Sequence, residues 1–185
     1  MTLLRRGLAV VLVTVGLAAL GWSGSILGRA DYARRVIARE LPATASPPRR
    51  GATLGLLEIP RLELTSVVVE GDDEASLLVA TAHLPETPLP WRSGNSVLAA
   101  HRDTDFRPLK DIRIGDVVRF HTADTTVAYV VRETRIVEPT DVSVLRPTTG
   151  TVLTLITCYP FHYVGPAPKR FIVRAERTAI GRDIL

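Results

Sequence analysis

The chain has 185 residues, a net charge of +4, one cysteine and 5% aromatic residues. This length suits one domain and a terminal appendage, because domains commonly hold about 100–150 residues. A single cysteine excludes an intramolecular disulfide and a cysteine-rich metal cluster. The arginines are scattered and few aromatic residues lie among them, so the sequence predicts no nucleic-acid-binding face.

An uncharged apolar stretch covers residues 7–27 and follows Arg5 and Arg6. As a helix it would be about 31 Å long, close to the hydrocarbon thickness of a bilayer. It therefore predicts a transmembrane signal anchor, with residues 1–6 in the cytoplasm and Trp22 near the far interface. A cleaved signal peptide is the alternative, but the stretch is longer than the usual apolar core and no clear cleavage site closes it.

Two features of the sequence predict opposite orientations for this anchor. Arginines at 29, 34, 35 and 39 follow the stretch, so charge alone would place the C-terminal part in the cytoplasm. We expect the opposite orientation, because the Arg5–Arg6 pair abuts the apolar stretch as in a secretory signal and because of the resemblance described below. The sequence thus predicts a single-pass cell-membrane protein with an extracytoplasmic domain.

Residues 28–51 predict a juxtamembrane helix followed by a proline-rich linker. The helix, residues 29–41, has an apolar stripe and could lie on anionic lipid or extend the anchor. The linker, residues 42–51, contains three prolines. The main domain is expected to cover residues 52–185.

Residues beyond 52 are mostly short runs rich in valine, isoleucine, leucine and threonine, separated by glycine, proline and aspartate. These runs predict strands at 54–59, 62–69, 96–100, 117–121, 126–137, 151–158 and 170–176. Residues 73–80 predict a short helix, and residues 106–112 a helical turn. About seven strands with one or two short helices predict a mainly β fold, a closed or nearly closed β-barrel.

Cys158 stands at the end of the strand predicted for residues 151–158, before a proline-containing loop and the strand that starts at Arg170. If these two strands pair antiparallel, Cys158 and Arg170 are neighbours. A guanidinium near a thiol favours the thiolate and can stabilise the oxyanion of a tetrahedral intermediate. The alternatives are a small buried structural cysteine and a solvated arginine.

A nucleophilic thiol needs an acid or base, and four histidines are available. His101 ranks first, because it ends an apolar strand and opens a polar loop. His83 and His162 remain open as residues that contact the substrate. His121 closes a strand before a turn and is interpreted as a surface residue.

The segments VLAAHRDTDFRPL, TLITC and APKRFIV resemble the sortase family of cysteine transpeptidases. The surroundings YPF and GPAPKR are most similar to its class D, and LLEIPRLEL, VVVEGDD and HLPETPLP extend the match to about residues 54–176. The resemblance implies a sortase-type closed β-barrel behind a membrane anchor. It also implies cleavage of surface proteins at a C-terminal LPXTG-like sorting signal, after the threonine. An amine from a cell-wall precursor or protein would then accept the acyl group, whereas water would give hydrolysis.

The same resemblance assigns roles to individual residues. Cys158 would be the nucleophile, His101 the general acid that protonates the leaving amine, and Arg170 the group that stabilises the oxyanion. Thr157 would help to shape the site. Ala100 departs from the family, in which a glycine commonly precedes the histidine.

Two further departures concern regulation and metals. No Asp-Pro-aromatic lid precedes residue 52, which argues against pilin assembly, and no acidic cluster of the calcium-binding kind is visible. No cofactor or metal is therefore expected. A non-catalytic, membrane-anchored barrel that binds peptide or cell-wall material remains the alternative. A papain-like protease is excluded by order, because there the cysteine precedes the histidine.

Overall fold

The computed structural model describes residues 47–163 and 165–178. The predicted cytoplasmic segment, the predicted anchor and most of the predicted juxtamembrane region therefore lie outside the described residues. Within the described part of the chain, none of the helices combines the length and apolar character needed to cross a membrane. All of these described residues fall in one compact unit.

Eight strands and one short α-helix form the described structure. The strands are β1 Thr53–Ile59, β2 Leu64–Glu70, β3 Thr81–His83, β4 Gly94–Ala99, β5 Val117–His121, β6 Thr126–Val137, β7 Thr151–Tyr159 and β8 Lys169–Arg177. The helix α1 covers Glu74–Val79, and 3₁₀ turns cover Pro60–Leu62, Arg107–Asp111 and Val142–Leu145. Asp73 caps α1, since its side chain accepts a hydrogen bond from the Ser76 N–H at 3.0 Å.

The strands close into a barrel in the order β1-β2-β3-β4-β7-β8-β6-β5, with β5 returning to β1. Two neighbouring pairs, β2–β3 and β4–β7, are parallel. The remaining pairs are antiparallel. Since the strands of a parallel pair end at the same edge, β4 and β7 both finish at one end of the barrel.

The interior of the barrel is filled by aliphatic and aromatic side chains. Close packing of such side chains is the main favourable contribution to folding. Fully enclosed examples from different strands are Leu57, Leu98, Phe120, Tyr129, Leu155 and Val173.

The seam between β1 and β5 requires a glycine. A Cβ atom at Gly55 would lie 2.2 Å from the carbonyl oxygen of His121 and 2.8 Å from the Phe120 ring. Such distances are shorter than any real contact, so a larger residue would push the two strands apart.

The prediction of a mainly β fold with a closed barrel and few helices is confirmed. Three elements were missed, β3 and the 3₁₀ turns Pro60–Leu62 and Val142–Leu145, all of which have four residues or fewer. The strand predicted from residue 62 starts two residues later, because Leu62 belongs to a 3₁₀ turn and Glu63 adopts a left-handed φ of 51°.

Candidate active site

The three residues predicted to carry the chemistry meet at one end of the barrel because of strand direction. Ala99 of β4 pairs with Ile156 of β7, and both chains advance in the same direction. His101 and Cys158 therefore each come two residues after this pair, at the same edge. Strand β8 runs back from that edge, and Cys158 is paired with Arg170 in the β7–β8 register. The prediction that Cys158 and Arg170 are neighbours is confirmed.

Cys158 is a free, half-buried cysteine. The residue before it, Thr157, is buried with only 2% of its surface exposed. The Thr157 hydroxyl donates a hydrogen bond of 2.8 Å to the carbonyl oxygen of Ala100. Because side chains alternate along a strand, the buried Thr157 and the half-buried Cys158 lie on opposite faces of β7.

His101 opens the loop that follows β4, and it is half-buried. Its carbonyl oxygen accepts a hydrogen bond from the Phe106 N–H at 3.1 Å, and the Phe106 ring is fully buried in the core. Ser66 of β2 donates a hydrogen bond of 2.7 Å to the Asp105 carboxylate. These two attachments fix the loop on either side, so the backbone that carries His101 is held against the barrel.

Arg170 is half-buried at the start of β8. Its Nη1 donates hydrogen bonds to the carbonyl oxygens of Ala167 at 3.3 Å and Lys169 at 3.0 Å. Guanidinium stays protonated at any physiological pH and has five N–H donors in a planar fork. Arg170 therefore brings a permanent positive charge to the register position opposite Cys158.

An aromatic cluster supports the connection between β7 and β8. Tyr159 lies 6.1 Å from Phe161 and 6.3 Å from Phe171, and Phe161 lies 5.4 Å from Phe171, measured between ring centroids. Such rings attract one another through edge-to-face and offset contacts. The cluster fixes the strand ends on either side of Cys158 and Arg170.

The other three histidines lie in different surroundings. The ring of His83 is 1% exposed, with Nδ1 at 2.7 Å from the Glu70 carboxylate and Nε2 at 3.1 Å from the Pro88 carbonyl oxygen. A substrate contact through this ring would require those contacts to open. His162 is exposed in the loop after Cys158. His121 is partly exposed, as predicted, and its Nε2 lies 2.9 Å from a Glu58 carboxylate oxygen on the barrel wall.

Arg102 is a residue near the site whose contacts the sequence did not reveal. Its Nη2 donates hydrogen bonds to the carbonyl oxygens of Tyr163 at 2.8 Å and Gly165 at 3.1 Å. The one signal in the sequence is its position directly after His101. Asp105 was likewise seen only as part of a polar loop, since its partner Ser66 lies 39 residues away along the chain.

Among the described residues, no group of three histidine, cysteine, aspartate or glutamate side chains is arranged to hold a metal ion. The expectation that catalysis needs no metal stays a prediction. The chemistry available at the site comes from a thiol, an imidazole and a guanidinium. Together these groups supply a nucleophile, a proton donor and a cation that can bind a developing oxyanion.

A closed eight-stranded barrel with a thiol, an imidazole and a guanidinium at one end defines a β-barrel protein with a candidate cysteine-centred active site. A family model described as the sortase domain matches residues 57–178. The chain belongs to the sortase family.

Two characterised relatives are similar in sequence. Sortase D of Bacillus subtilis is 37% identical over 131 residues, which cover 70% of this chain and 66% of that protein. Sortase A of Listeria monocytogenes is 28% identical over 113 residues, which cover 59% of this chain and 50% of that protein. The chain thus spans between half and two thirds of the length of these relatives. The predicted similarity to class D is confirmed.

Solved structures share the fold. Sortase A from Corynebacterium diphtheriae, a lid mutant, has a TM-score of 0.66 at 26% identity, covering 76% of each chain. Sortase C-1 from Actinomyces oris has a TM-score of 0.63 at 28% identity, covering 72% of this chain and 75% of that one. A sortase D5 transpeptidase from Clostridium perfringens has a TM-score of 0.65 at 22% identity, covering 80% and 88%.

Proposed function

We propose that this chain is a cysteine transpeptidase that cleaves an LPXTG-like sorting signal after its threonine and transfers the protein to an amine acceptor. The observation that carries the proposal is the meeting of Cys158, His101 and Arg170 at one barrel end through the β4–β7 and β7–β8 registers. Membership of the sortase family and the relatives named above support the same activity.

In the proposed first step the Cys158 thiolate attacks the carbonyl carbon of the substrate threonine. An S–C bond forms, and the carbonyl oxygen takes up negative charge that Arg170 stabilises. The C–N bond then breaks while the His101 imidazolium donates a proton to the leaving amine. The products are a thioester on Cys158, a neutral His101 and the released C-terminal peptide.

In the second step an amine attacks the thioester. A new C–N bond forms, the S–C bond breaks, and the amine loses a proton to His101, which restores the thiolate and the imidazolium. Water in place of the amine would give hydrolysis. A cell-wall precursor or another protein would supply the amine. The proposed surroundings are the outer face of the cell membrane, with residues 7–27 as the anchor.

Intact-mass measurement of the purified full chain tests the proposal directly. Incubation with an LPXTG-like peptide should add the mass of the peptide up to its threonine, and hydroxylamine should remove the adduct because it cleaves thioesters. Addition of an amine should release the corresponding ligated peptide. The matched variant Cys158→Ala should show neither adduct nor ligation.

The alternative, a barrel that binds peptide or cell-wall material without catalysis, gives a different result in the same experiment. The peptide would then bind to the wild type and to Cys158→Ala with equal affinity, and no cleaved product would form. That outcome would refute the transpeptidase.

A further inference from the structure

The loop between β7 and β8, residues 160–168, is held by an arginine from another part of the chain. Arg102 Nη2 donates to the carbonyl oxygens of both Tyr163 and Gly165. The Arg102 guanidinium carbon also lies 5.7 Å from the centroid of the Tyr163 ring, within the range of a cation–π contact. Arg102 therefore makes three contacts with one short region of this loop.

The backbone beside Arg102 is fixed to the barrel. Ala100 N–H donates to the Ile156 carbonyl oxygen at 3.3 Å, and Ala100 O accepts the Thr157 hydroxyl. His101 O accepts the Phe106 N–H. Since one peptide bond separates His101 from Arg102, the Arg102 contacts connect the loop to the segment that presents the imidazole.

The far end of the same loop touches Arg170. Arg170 Nη1 donates to the Ala167 carbonyl oxygen, two residues after Gly165. The path of the loop determines the position of this carbonyl oxygen. It therefore also determines one hydrogen bond that orients the Arg170 guanidinium. Arg102 in the middle of the loop and Arg170 near its end thus hold a single segment that starts directly after β7, the strand of Cys158.

We propose that Arg102 is a positioning residue that fixes the β7–β8 loop and, through it, the placement of His101 and Arg170 beside Cys158. The proposal rests on the proposed function for its effect on turnover. Its structural part does not, because the hydrogen bonds to Tyr163 and Gly165 exist without any substrate. Arg102 contributes to the reaction through its neighbours and has no assigned contact with the substrate.

Limited proteolysis of the full chain tests the structural part. Chymotrypsin cleaves after aromatic residues, and both Phe161 and Tyr163 lie in the loop. Arg102→Ala should speed cleavage at these sites by about tenfold, because the rate follows how often the segment opens. The matched control Arg107→Ala removes an exposed arginine from the same region and should leave the cleavage rate unchanged. Equal cleavage rates in wild type and Arg102→Ala would overturn the inference.

Kinetics test the positioning part. With an LPXTG-like peptide, Arg102→Ala should lower kcat by about 10- to 100-fold with little change in KM, since misplaced catalytic groups mainly affect the transition state. Arg102→Lys, which keeps the charge without the planar fork, should recover only a minor part of kcat. A loop that opens in Arg102→Ala while kcat stays at the wild-type value would overturn the positioning role.

A third readout separates this inference from the proposed function. The rate at which iodoacetamide alkylates Cys158 at fixed pH reports the surroundings of the thiol without peptide turnover. We expect this rate to change by about threefold or more in Arg102→Ala and to stay unchanged in Arg107→Ala. If the wild type turns over no peptide, an altered alkylation rate still supports the inference, and an unaltered rate overturns it.

Discussion

At the scale of single residues, Arg170 combines two properties, of which a lysine would keep only one. The guanidinium carries a permanent charge, and its planar fork can hold a loop carbonyl with one nitrogen while other N–H groups remain for a substrate oxyanion. Arg170 Nη1 already donates to Ala167 and Lys169 carbonyl oxygens. A compact ammonium group at this position would keep the charge but lose the fixed geometry of the donors.

The substitution Arg170→Lys is therefore expected to lower kcat by about 100-fold or more, the usual cost of removing an oxyanion donor. The circular dichroism spectrum and Tm should remain close to wild type, because Arg170 is only half-buried. The neighbouring Lys169→Ala serves as the control, since Lys169 is exposed and lies 3.5 Å from a carboxylate oxygen of Glu138. Turnover by Arg170→Lys at the wild-type rate would remove Arg170 from the mechanism.

At the scale of elements, the connection from β3 to β4 contains the pattern of the proposed substrate. Leu84-Pro85-Glu86-Thr87 has the form LPXT and is followed by Pro88. The Thr87 N–H and hydroxyl donate to the Leu84 carbonyl oxygen at 2.9 Å and 2.8 Å, and the hydroxyl accepts the Val97 N–H at 3.1 Å. The segment is thus a turn held to β4 by hydrogen bonds to Val97.

We expect the chain to be resistant to cleavage at this internal sequence. The peptide bond after Thr87 can reach a Cys158 thiol only after those hydrogen bonds break, and the leaving group would be the ring nitrogen of proline. Prolonged incubation of the concentrated chain, followed by intact-mass measurement, should show no fragment that starts at Pro88. Such a fragment from the wild type, absent from a parallel Cys158→Ala sample, would contradict the prediction.

How well the sequence predicted each element depended on the range of the contacts involved. The pairing of Cys158 with Arg170 could be predicted from the sequence, because a single proline-containing loop joins two strongly β-forming segments. Strand β3 was missed because its three residues depend on neighbours in β2 and β4. The contact of Arg102 with Tyr163, 61 residues further along, depends on the paths of two loops, which no local pattern indicates.

The surroundings of His83 were unpredictable for a similar reason. Glu70 pairs with His83 in the parallel β2–β3 register. The structure shows this register, which no pattern in the sequence indicates. The roles predicted for Thr157, His83 and His162 in substrate binding stay predictions, as do the catalytic roles of Cys158, His101 and Arg170.

At the scale of the whole molecule, an ion pair joins two parts of the barrel that lie 55 residues apart in sequence. Arg61 Nε and Nη2 donate to the two carboxylate oxygens of Asp116 at 2.5 Å and 2.6 Å. The Arg113 N–H donates to the same carboxylate at 2.8 Å. These hydrogen bonds, above all those from Arg61, hold the pKa of Asp116 below its ordinary value of 3.8. The pair fastens the turn after β1 to the start of β5.

The lowered pKa of Asp116 predicts a pH-dependent contribution to stability. A carboxyl whose pKa is lower in the folded state stabilises the fold above the unfolded-state pKa and loses this effect as pH falls through the folded-state pKa. Asp116→Asn should thus lower the free energy of unfolding at pH 7, and the difference from wild type should shrink below a pH of about 4.

Urea unfolding at pH 7 and pH 3 measures this difference. Asp124→Asn is the control, because Asp124 is exposed in the turn between β5 and β6. A deficit in Asp116→Asn of equal size at both pH values would show that the carboxylate charge has no part in it.

The parallel pairing of β4 with β7 makes chemical competence depend on correct folding. A strand advances about 3.3 Å per residue, so a two-residue slip between these strands would shift the His101 imidazole by about 6.6 Å relative to the Cys158 sulfur. A one-residue slip would turn the His101 side chain to the other face of the sheet. A misassembled barrel would keep all three reactive groups yet be unable to use them together. The sulfur, the imidazole and the guanidinium can therefore converge only when two strands that lie more than fifty residues apart along the chain are correctly aligned.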